Sequence, residues 1–329
     1  MNLYGKFNKF FYFRIFGYWL LANGYWLLAF GFMIVILGPT ASGKTRLAAH
    51  VACELDGEII SADSRQVYRG MDIGTGKDLA EYRVHGKSVP YHLIDIVDPG
   101  YEYNVYEFQQ DFLTAYEGIV SRNKIPVLCG GTGLYLESVL RGYRMLPLEK
   151  NPELEQLLEA KTTQELIGLF QTLRDPHNTT DILDRRRLIK AIRIGMQEMR
   201  QTRHHREFPA IKATVFGIAP ERTVLHQRIS DRLHHRLNNG MVEEVARLLA
   251  SGISEEILKF YGLEYKYITL YLRQELTYSE MVGQLTQAIQ QFAKRQITWF
   301  RRMERNGIPI HWIDPTLQFN SQLIEILAG

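Results

Sequence analysis

The chain has 329 residues, 46% of them hydrophobic and 23% charged, an ordinary soluble composition that can bury the core of one large domain or of a domain with an insert. A formal net charge of +3 is only mildly basic and is informative only where the positive residues cluster. Cys53 and Cys129 stand alone, with no CxxC or other ligand spacing, so neither a disulfide framework nor a zinc site is indicated and a reduced, cytoplasmic compartment is expected.

From Ile15 to Leu37 no charged residue occurs, and Lys6, Lys9 and Arg14 stand ahead of the run, a pattern like that of a signal or anchor. However, "MIVIL" at Met33 to Leu37 leads straight into "GPTASGKT", and a phosphate-binding loop needs a buried strand entering it. The remainder, Ile15 to Phe32, would span about 27 Å as a helix, short of a hydrocarbon layer of about 30 Å. It also contains one seven-residue unit written twice, "GYWLLAN GYWLLAF". Residues 1–32 are therefore expected to be a non-native extension from an upstream start, with no stable membrane association.

Gly38, Gly43, Lys44 and Thr45 fit G-x-x-x-x-G-K-[ST], between an apolar strand and the helical pattern "RLAAHVACEL". In Gly38, Pro39, Thr40, Ala41, Ser42 and Gly43 the backbone amides would wrap a phosphate chain at a helix N-terminus; Lys44 adds a point charge and Thr45 is the candidate Mg2+ ligand. The motif specifies a polyphosphate and leaves hydrolysis, phosphoryl transfer and displacement of diphosphate open. Further on, "GEIISADS" reads as a strand ending in Asp63, "YHLIDIVDP" as a strand carrying Asp95 and Asp98, and "KIPVLCGGTGLYLESVL" as strand, glycine turn and helix. Strands alternating with helices predict an α/β fold, a P-loop NTPase-like parallel sheet flanked by helices, with Lys44, Asp63 and Thr132 converging at the carboxyl ends of strands. Residues 146–182 are expected to form a short helical insert between two parts of the core, 33–145 and 183–329. "ATVFGIAP" reads as the last core strand, with helices to the end apart from "IPIHWID".

Two basic clusters stand out. Between Arg185 and Arg206 there are eight Lys or Arg residues against one acid, Glu198, together with His204 and His205. In "QQFAKRQITWFRRMER", helical spacing puts Lys294, Thr298, Arg301 and Arg305 on one face and Phe292, Trp299, Phe300 and Met303 on the other. Both suit a polyanion such as a nucleic acid. Arg228 and Arg232 lie one helical turn apart and could reach a diphosphate together.

The ordered segments "GPTASGKT", "IISADSRQVYRGMDIGTGK", "YHLIDIVDP", "GGTGLYLESVL", "DRRRLIKAI", "LHQRISDRLHHRLNNGMVEEVARLL" and "FAKRQITWFRR" resemble the tRNA dimethylallyltransferases (tRNA isopentenyltransferases) from about Met33 to Asp314. The resemblance implies transfer of a dimethylallyl group from its diphosphate, with Mg2+, to N6 of adenosine 37 next to the anticodon, with binding of the anticodon stem-loop of tRNA; a monomer is expected. It implies that Thr40 to Thr45 cradle diphosphate, that Asp63 is the general base and Thr132 an orienting hydroxyl, and that Arg228, with Arg232 as second choice, is a further diphosphate ligand. It implies tRNA contacts by Asp63, Ser64, Arg65, Gln66, Arg186, Arg187, Leu188, Ile189, Lys190, Lys294, Arg295, Gln296 and Arg301. The chain departs from the family pattern at Arg65, where Met is usual, at "GTGKD", and at "LEYKYITLY", where "IGYKE" is usual; its insert is also shorter. A small-molecule kinase would share the P-loop and Asp63 but leave the basic clusters without work, and a nucleic-acid-binding NTPase would leave "DSRQVY" and "GGTG" without it. An adenylate isopentenyltransferase fits poorly with the extended basic C-terminal half.

Overall fold

The computed structural model describes residues 32–145, 151–173, 184–200 and 208–328. The expectation of a non-native extension falls outside these residues except at Phe32, which opens the first strand. His204, His205 and Arg206 also lie outside them. The described residues form two compact units, one within 1–141 and 210–329 and one within 142–209.

In the larger unit, β1 (Phe32–Leu37), β2 (Gly57–Ala62), β5 (Tyr91–His92), β6 (Ile125–Gly130), β7 (Lys212–Ile218) and β8 (His311–Ile313) form one parallel sheet in the order β5-β2-β6-β1-β7-β8. β3 (Arg83–Val84) and β4 (Lys87–Ser88) make a separate antiparallel hairpin. The central β1 is buried from Met33 to Leu37, as a strand covered on both faces must be. Ile34 and Ile36 share one face with Ile59, Val127, Cys129, Phe216 and Ile218, and onto it pack α1 (Lys44–Glu54) and the last helix, α12 (Phe319–Ala328). α2 (Val105–Ser121) packs on β2 and β6; it is started by a capping box in which Asn104 accepts from the amides of Tyr106 and Glu107. α3 (Gly133–Leu140) follows β6 directly. "IPIHWID" supplies β8, so the sheet continues one strand beyond the expected last one, β7.

The expected strand over "YHLIDIVDP" contracts to Tyr91–His92. Leu93 and Asp95 take left-handed φ values of 63° and 56°, which end the extended run. Asp95 is held by an ion pair with the buried Lys77 ammonium, and Asp98 pairs with Arg69 at 3.0 Å.

The smaller unit contains α4 (Pro152–Glu159), α5 (Thr163–Leu173) and α6 (Arg185–Arg200). Its core is Leu158, Leu166, Phe170, Leu188, Ile189 and Ile192. The expected insert, 146–182, falls within this unit, which also takes in α6. The basic sequence of α6 hides an apolar stripe, Leu188, Ile189 and Ile192, that packs on α5 and binds this helix to the insert.

After β7 the larger unit adds α7 (Arg222–Leu237), α8 (Met241–Ala250), α9 (Glu255–Tyr261), α10 (Leu263–Leu272) and the long α11 (Tyr278–Arg305). α7 and α10 both pack on α11. No described helix is long and apolar enough to cross a membrane.

Candidate active site

β1 ends at Leu37, and the chain turns through Gly38–Gly43 before α1 begins at Lys44. The Ser42 amide donates to the Pro39 carbonyl at 3.3 Å, and Ala41 and Gly43 are left-handed, with φ 61° and 86°. Gly38 has no space for a side chain: a Cβ there would lie 2.9 Å from the Ile218 carbonyl oxygen of β7. α1 has no side-chain cap and no acid in its first turn, so its leading amides form the positive end of a helix that its own sequence leaves uncapped. The Ser42 hydroxyl is buried without a partner among the described residues. A phosphate oxygen would satisfy such a donor.

The Lys44 ammonium donates to Pro39 O at 3.2 Å. Burial pulls its pKa below the usual lysine value, and the neighbouring Asp63 charge opposes that shift. Burial also pushes the Cys129 thiol up to about 12, which keeps it neutral beside the loop.

Arg232 on α7 donates through Nη2 to the Thr40 hydroxyl. Burial lowers its pKa to about 10, with Arg236 adding to the effect. Arg228, the first choice from sequence, is exposed, and Arg232, the second choice, is the one that reaches the loop. Arg232 lies beside Ile229, Leu233 and Arg236 on the packed side of α7, whereas Arg228 lies with Gln227 and Asp231 on the solvent side.

Asp63 follows the end of β2, and its Oδ1 accepts from the Arg65 amide at 2.9 Å, which fixes the carboxylate at the mouth of the turn. The Thr132 amide donates to Ala62 O at 3.2 Å, and its hydroxyl accepts from the Ser64 amide at 3.0 Å. Two adjacent parallel strands, β2 and β6, thus place Asp63 and Thr132 side by side. The carboxyl ends of β1, β2 and β6 bring together Lys44, Asp63 and Thr132, as the sequence predicts. Thr45, in the first turn of α1, is partly exposed.

Four of the residues expected to contact RNA have buried side chains. Gln66 is buried, accepting from the Ser61 hydroxyl at 3.0 Å and donating to Gly76 O at 3.2 Å, so its amide is occupied within the protein. Leu188 and Ile189 are core residues of the insert, as apolar side chains on a packed helix face must be. Gln296 is buried too: its Oε1 accepts from the Thr40 amide at 2.9 Å and its Nε2 donates to Gly131 O at 2.8 Å, so it brackets the phosphate loop against the "GGTG" turn. A Cβ on Gly131 would come within 2.4 Å of that Nε2. Spacing could have revealed this role, because Ala293, Gln296, Phe300 and Met303 form one buried stripe, and a polar group there needs partners.

The other candidates are at the surface. Ser64 and Arg65 are partly exposed, and Arg186, Arg187 and Lys190 are exposed on α6. On α11, Lys294, Arg295, Thr298, Arg301 and Arg305 are exposed; Phe292, expected on the packed face, is exposed as well. Arg301 stacks on Trp312, its guanidinium carbon 4.0 Å from the ring centre, and Arg302 donates to the buried Glu137 at 2.9 Å.

Sequence reasoning missed the buried carboxylate of Glu244 and the partly buried one of Glu264. Glu244 accepts from the amides of Asp72, Ile73 and Gly74 at 2.8–3.0 Å and from the Tyr265 hydroxyl at 2.8 Å, fixing the "GMDIGTGK" loop. Glu264 lies near Arg65, Arg232 and Arg236, and burial raises its pKa.

The profile of the IPP transferase family matches residues 66–303. The chain belongs to the IPP transferase family. It is 56% identical over 294 residues to tRNA dimethylallyltransferase 2 of Phocaeicola vulgatus, covering 89% of this chain and 96% of that protein. It is 54% identical over 290 residues to tRNA dimethylallyltransferase 2 of a Bacteroides fragilis strain, covering 88% and 95%. Its fold matches the crystal structure of the full-length tRNA isopentenylpyrophosphate transferase of Bacillus halodurans with a TM-score of 0.66 at 32% identity, over 90% of this chain and 94% of that one. This likeness extends the fold agreement beyond the phosphate loop to the helical C-terminal part of the IPP transferase.

Proposed function

We propose that this IPP transferase moves a dimethylallyl group from dimethylallyl diphosphate to N6 of adenosine 37 of tRNA, acting in the cytoplasm as a single chain. The observation that carries the reading is the pairing, in a member of this family, of an anion-ready loop with a carboxylate: Arg232 and Lys44 lie at the loop, and Asp63 lies at the next strand end but one. In this reading N6 of the adenine attacks C1 of the dimethylallyl group, the C1–O bond breaks, diphosphate leaves with the bonding pair, and Asp63 accepts the N6 proton. An exocyclic amine is a weak nucleophile, so the barrier falls mainly by stabilising charge on the departing diphosphate, the work of the loop amides, Lys44 and Arg232. Thr132, bonded to the Ser64 amide, orients the segment that carries Asp63.

Mg2+ suits the donor set. The Thr45 hydroxyl and the Asp63 carboxylate are hard oxygens at the loop, and this metal is commonly held by one or two protein oxygens with substrate phosphates and water. When bound it would neutralise charge on the diphosphate. The exposed cations of α6 and α11 are suited to holding the anticodon stem-loop, whose unpaired bases leave their stack at little cost.

The test incubates the chain with labelled dimethylallyl diphosphate, Mg2+ and an unmodified anticodon stem-loop. Label should enter the RNA and be lost when the target adenosine is replaced by guanosine. ATP consumption with no label in the RNA would transfer the reading to a small-molecule kinase, and equal labelling of free AMP would transfer it to an adenylate isopentenyltransferase.

A further inference from the structure

On the far side of Arg65 from Asp63 the surface carries a largely exposed aromatic ring. Phe260, near the end of α9, is 56% exposed, and among the exposed large hydrophobic side chains of the described residues only the aliphatic Ile324 and Leu157 are more so. The Arg65 guanidinium carbon lies 5.7 Å from its ring centre, and the Arg65 amide is the group bonded to Asp63. The ring is therefore linked to the catalytic carboxylate through one residue.

Its position is rigidly set. The adjacent Tyr261 is fully buried; its hydroxyl accepts from the Gly100 amide, donates to Tyr101 O at 3.1 Å, and its ring packs 4.3 Å from that of Tyr68. Clamping Tyr261 holds the backbone of Phe260 while leaving its face open. Past Tyr101 the surface turns acidic, with the Tyr101 hydroxyl bonded to Glu107 and that of Tyr103 bonded to Asp111 at 2.7 Å, which is unfavourable ground for a phosphate chain. On this side, then, the surface favourable to a nucleotide is the ring and Arg65, towards the mouth at Asp63.

Resting on the transferase reading above, we propose that Phe260, backed by Arg65, is a stacking platform for the base of a nucleotide adjacent to the adenosine that reacts at Asp63. A target adenine drawn out of its loop leaves a neighbouring base with one face bare, and single-stranded bases cover such faces with aromatic rings and guanidinium planes. Phe260 supplies the ring; Arg65 supplies the cation that polarises it and balances the adjoining phosphate. More than half of the Phe260 side chain faces solvent, so its replacement removes the contacts with Arg65 and Tyr261 and little of the core, and the platform can be tested with the fold intact.

The experiment compares the full chain with Phe260→Ala and Phe260→Trp on anticodon stem-loops that are intact or abasic at either nucleotide flanking the target. Phe260→Ala should lower kcat/KM for the intact stem-loop by about 5- to 100-fold, the range of one base stack. Phe260→Trp should restore it, and the KM for dimethylallyl diphosphate should not move. One of the two abasic stem-loops should lower the unsubstituted chain by the same factor and show no further loss with Phe260→Ala. Unchanged kcat/KM in Phe260→Ala, or losses that multiply on both abasic stem-loops, would overturn the platform. If the unsubstituted chain transfers no label, the transferase reading itself fails. The platform is then read from binding alone: 2-aminopurine at the flanking position should be quenched by the chain and by Phe260→Trp but not by Phe260→Ala, and equal quenching by all three would overturn it.

Discussion

The phosphate loop and helix α6 are both suited to a polyanion, but they are built in opposite ways. The loop uses backbone amides and two partly buried cations, Lys44 and Arg232, each held by a hydrogen bond within the loop. α6 uses the exposed tips of Arg186, Arg187 and Lys190 above a stripe of leucine and isoleucine that belongs to the insert's own core. The first arrangement fixes geometry and suits a reacting group. The second fixes only charge and suits a ligand whose shape is set elsewhere. Substitutions in the loop region should therefore change the chemistry, whereas those on α6 should change either folding or salt-dependent affinity, according to which face they touch.

The sharpest contrast comes from Asp63→Ala, which should cut the transfer rate by about 100-fold or more with tRNA affinity nearly unchanged, measured by single-turnover transfer and a separate binding titration. Unchanged turnover would remove Asp63 from the mechanism. In the insert, Leu188→Ala should cost about 2–5 kcal/mol of local stability, read by hydrogen exchange in α5 and α6. Lost RNA affinity with full protection of those helices would instead make Leu188 an RNA contact.

Arg232→Ala should raise the KM for dimethylallyl diphosphate by about 10-fold or more, as expected for loss of a charge-assisted contact. The same change at Arg228, only one turn away, should be within about threefold. Reversed effects would restore the order expected from spacing alone. Gln296→Ala leaves the Thr40 amide and the Gly131 carbonyl unpaired and should destabilise the protein by about 1–3 kcal/mol, visible in Tm. Smallest of all, Lys190→Ala should lower the slope of log affinity against log salt by about one, with no change in Tm.

Sequence was most informative where backbone geometry leaves little choice. The loop from Gly38 to Thr45, Asp63 after β2 and Thr132 after β6 all stand where spacing predicted, because a phosphate loop requires glycine at a close approach and a strand on its N-terminal side. It was misleading where burial decides. Gln296 and Leu188 lie within basic runs, and the charge of their neighbours concealed that each is on the inward face. Nor does pattern alone show that "YHLIDIVDP" bends at Leu93: its alternating apolar residues suit a strand, and the bend accompanies a tertiary ion pair of Lys77 with Asp95. The choice between Arg228 and Arg232 depended on the rotation of α7 about its axis, which a spacing of four residues leaves open.

The sheet order has a consequence for how the chain reaches its folded state. β1 gains its neighbours only from far downstream: β6 begins at Ile125, and β7 arrives roughly 180 residues after β1, so the pairing is dominated by non-local contacts that form slowly. During synthesis the apolar "MIVIL" segment stays without its second flanking strand until most of the chain has been made. The carbonyl of Ile218 that closes over Gly38 arrives with β7. Assembly of the loop is thus a late event, and a chain stopped before Lys212 would carry every residue of the phosphate motif and still lack one wall of its sheet.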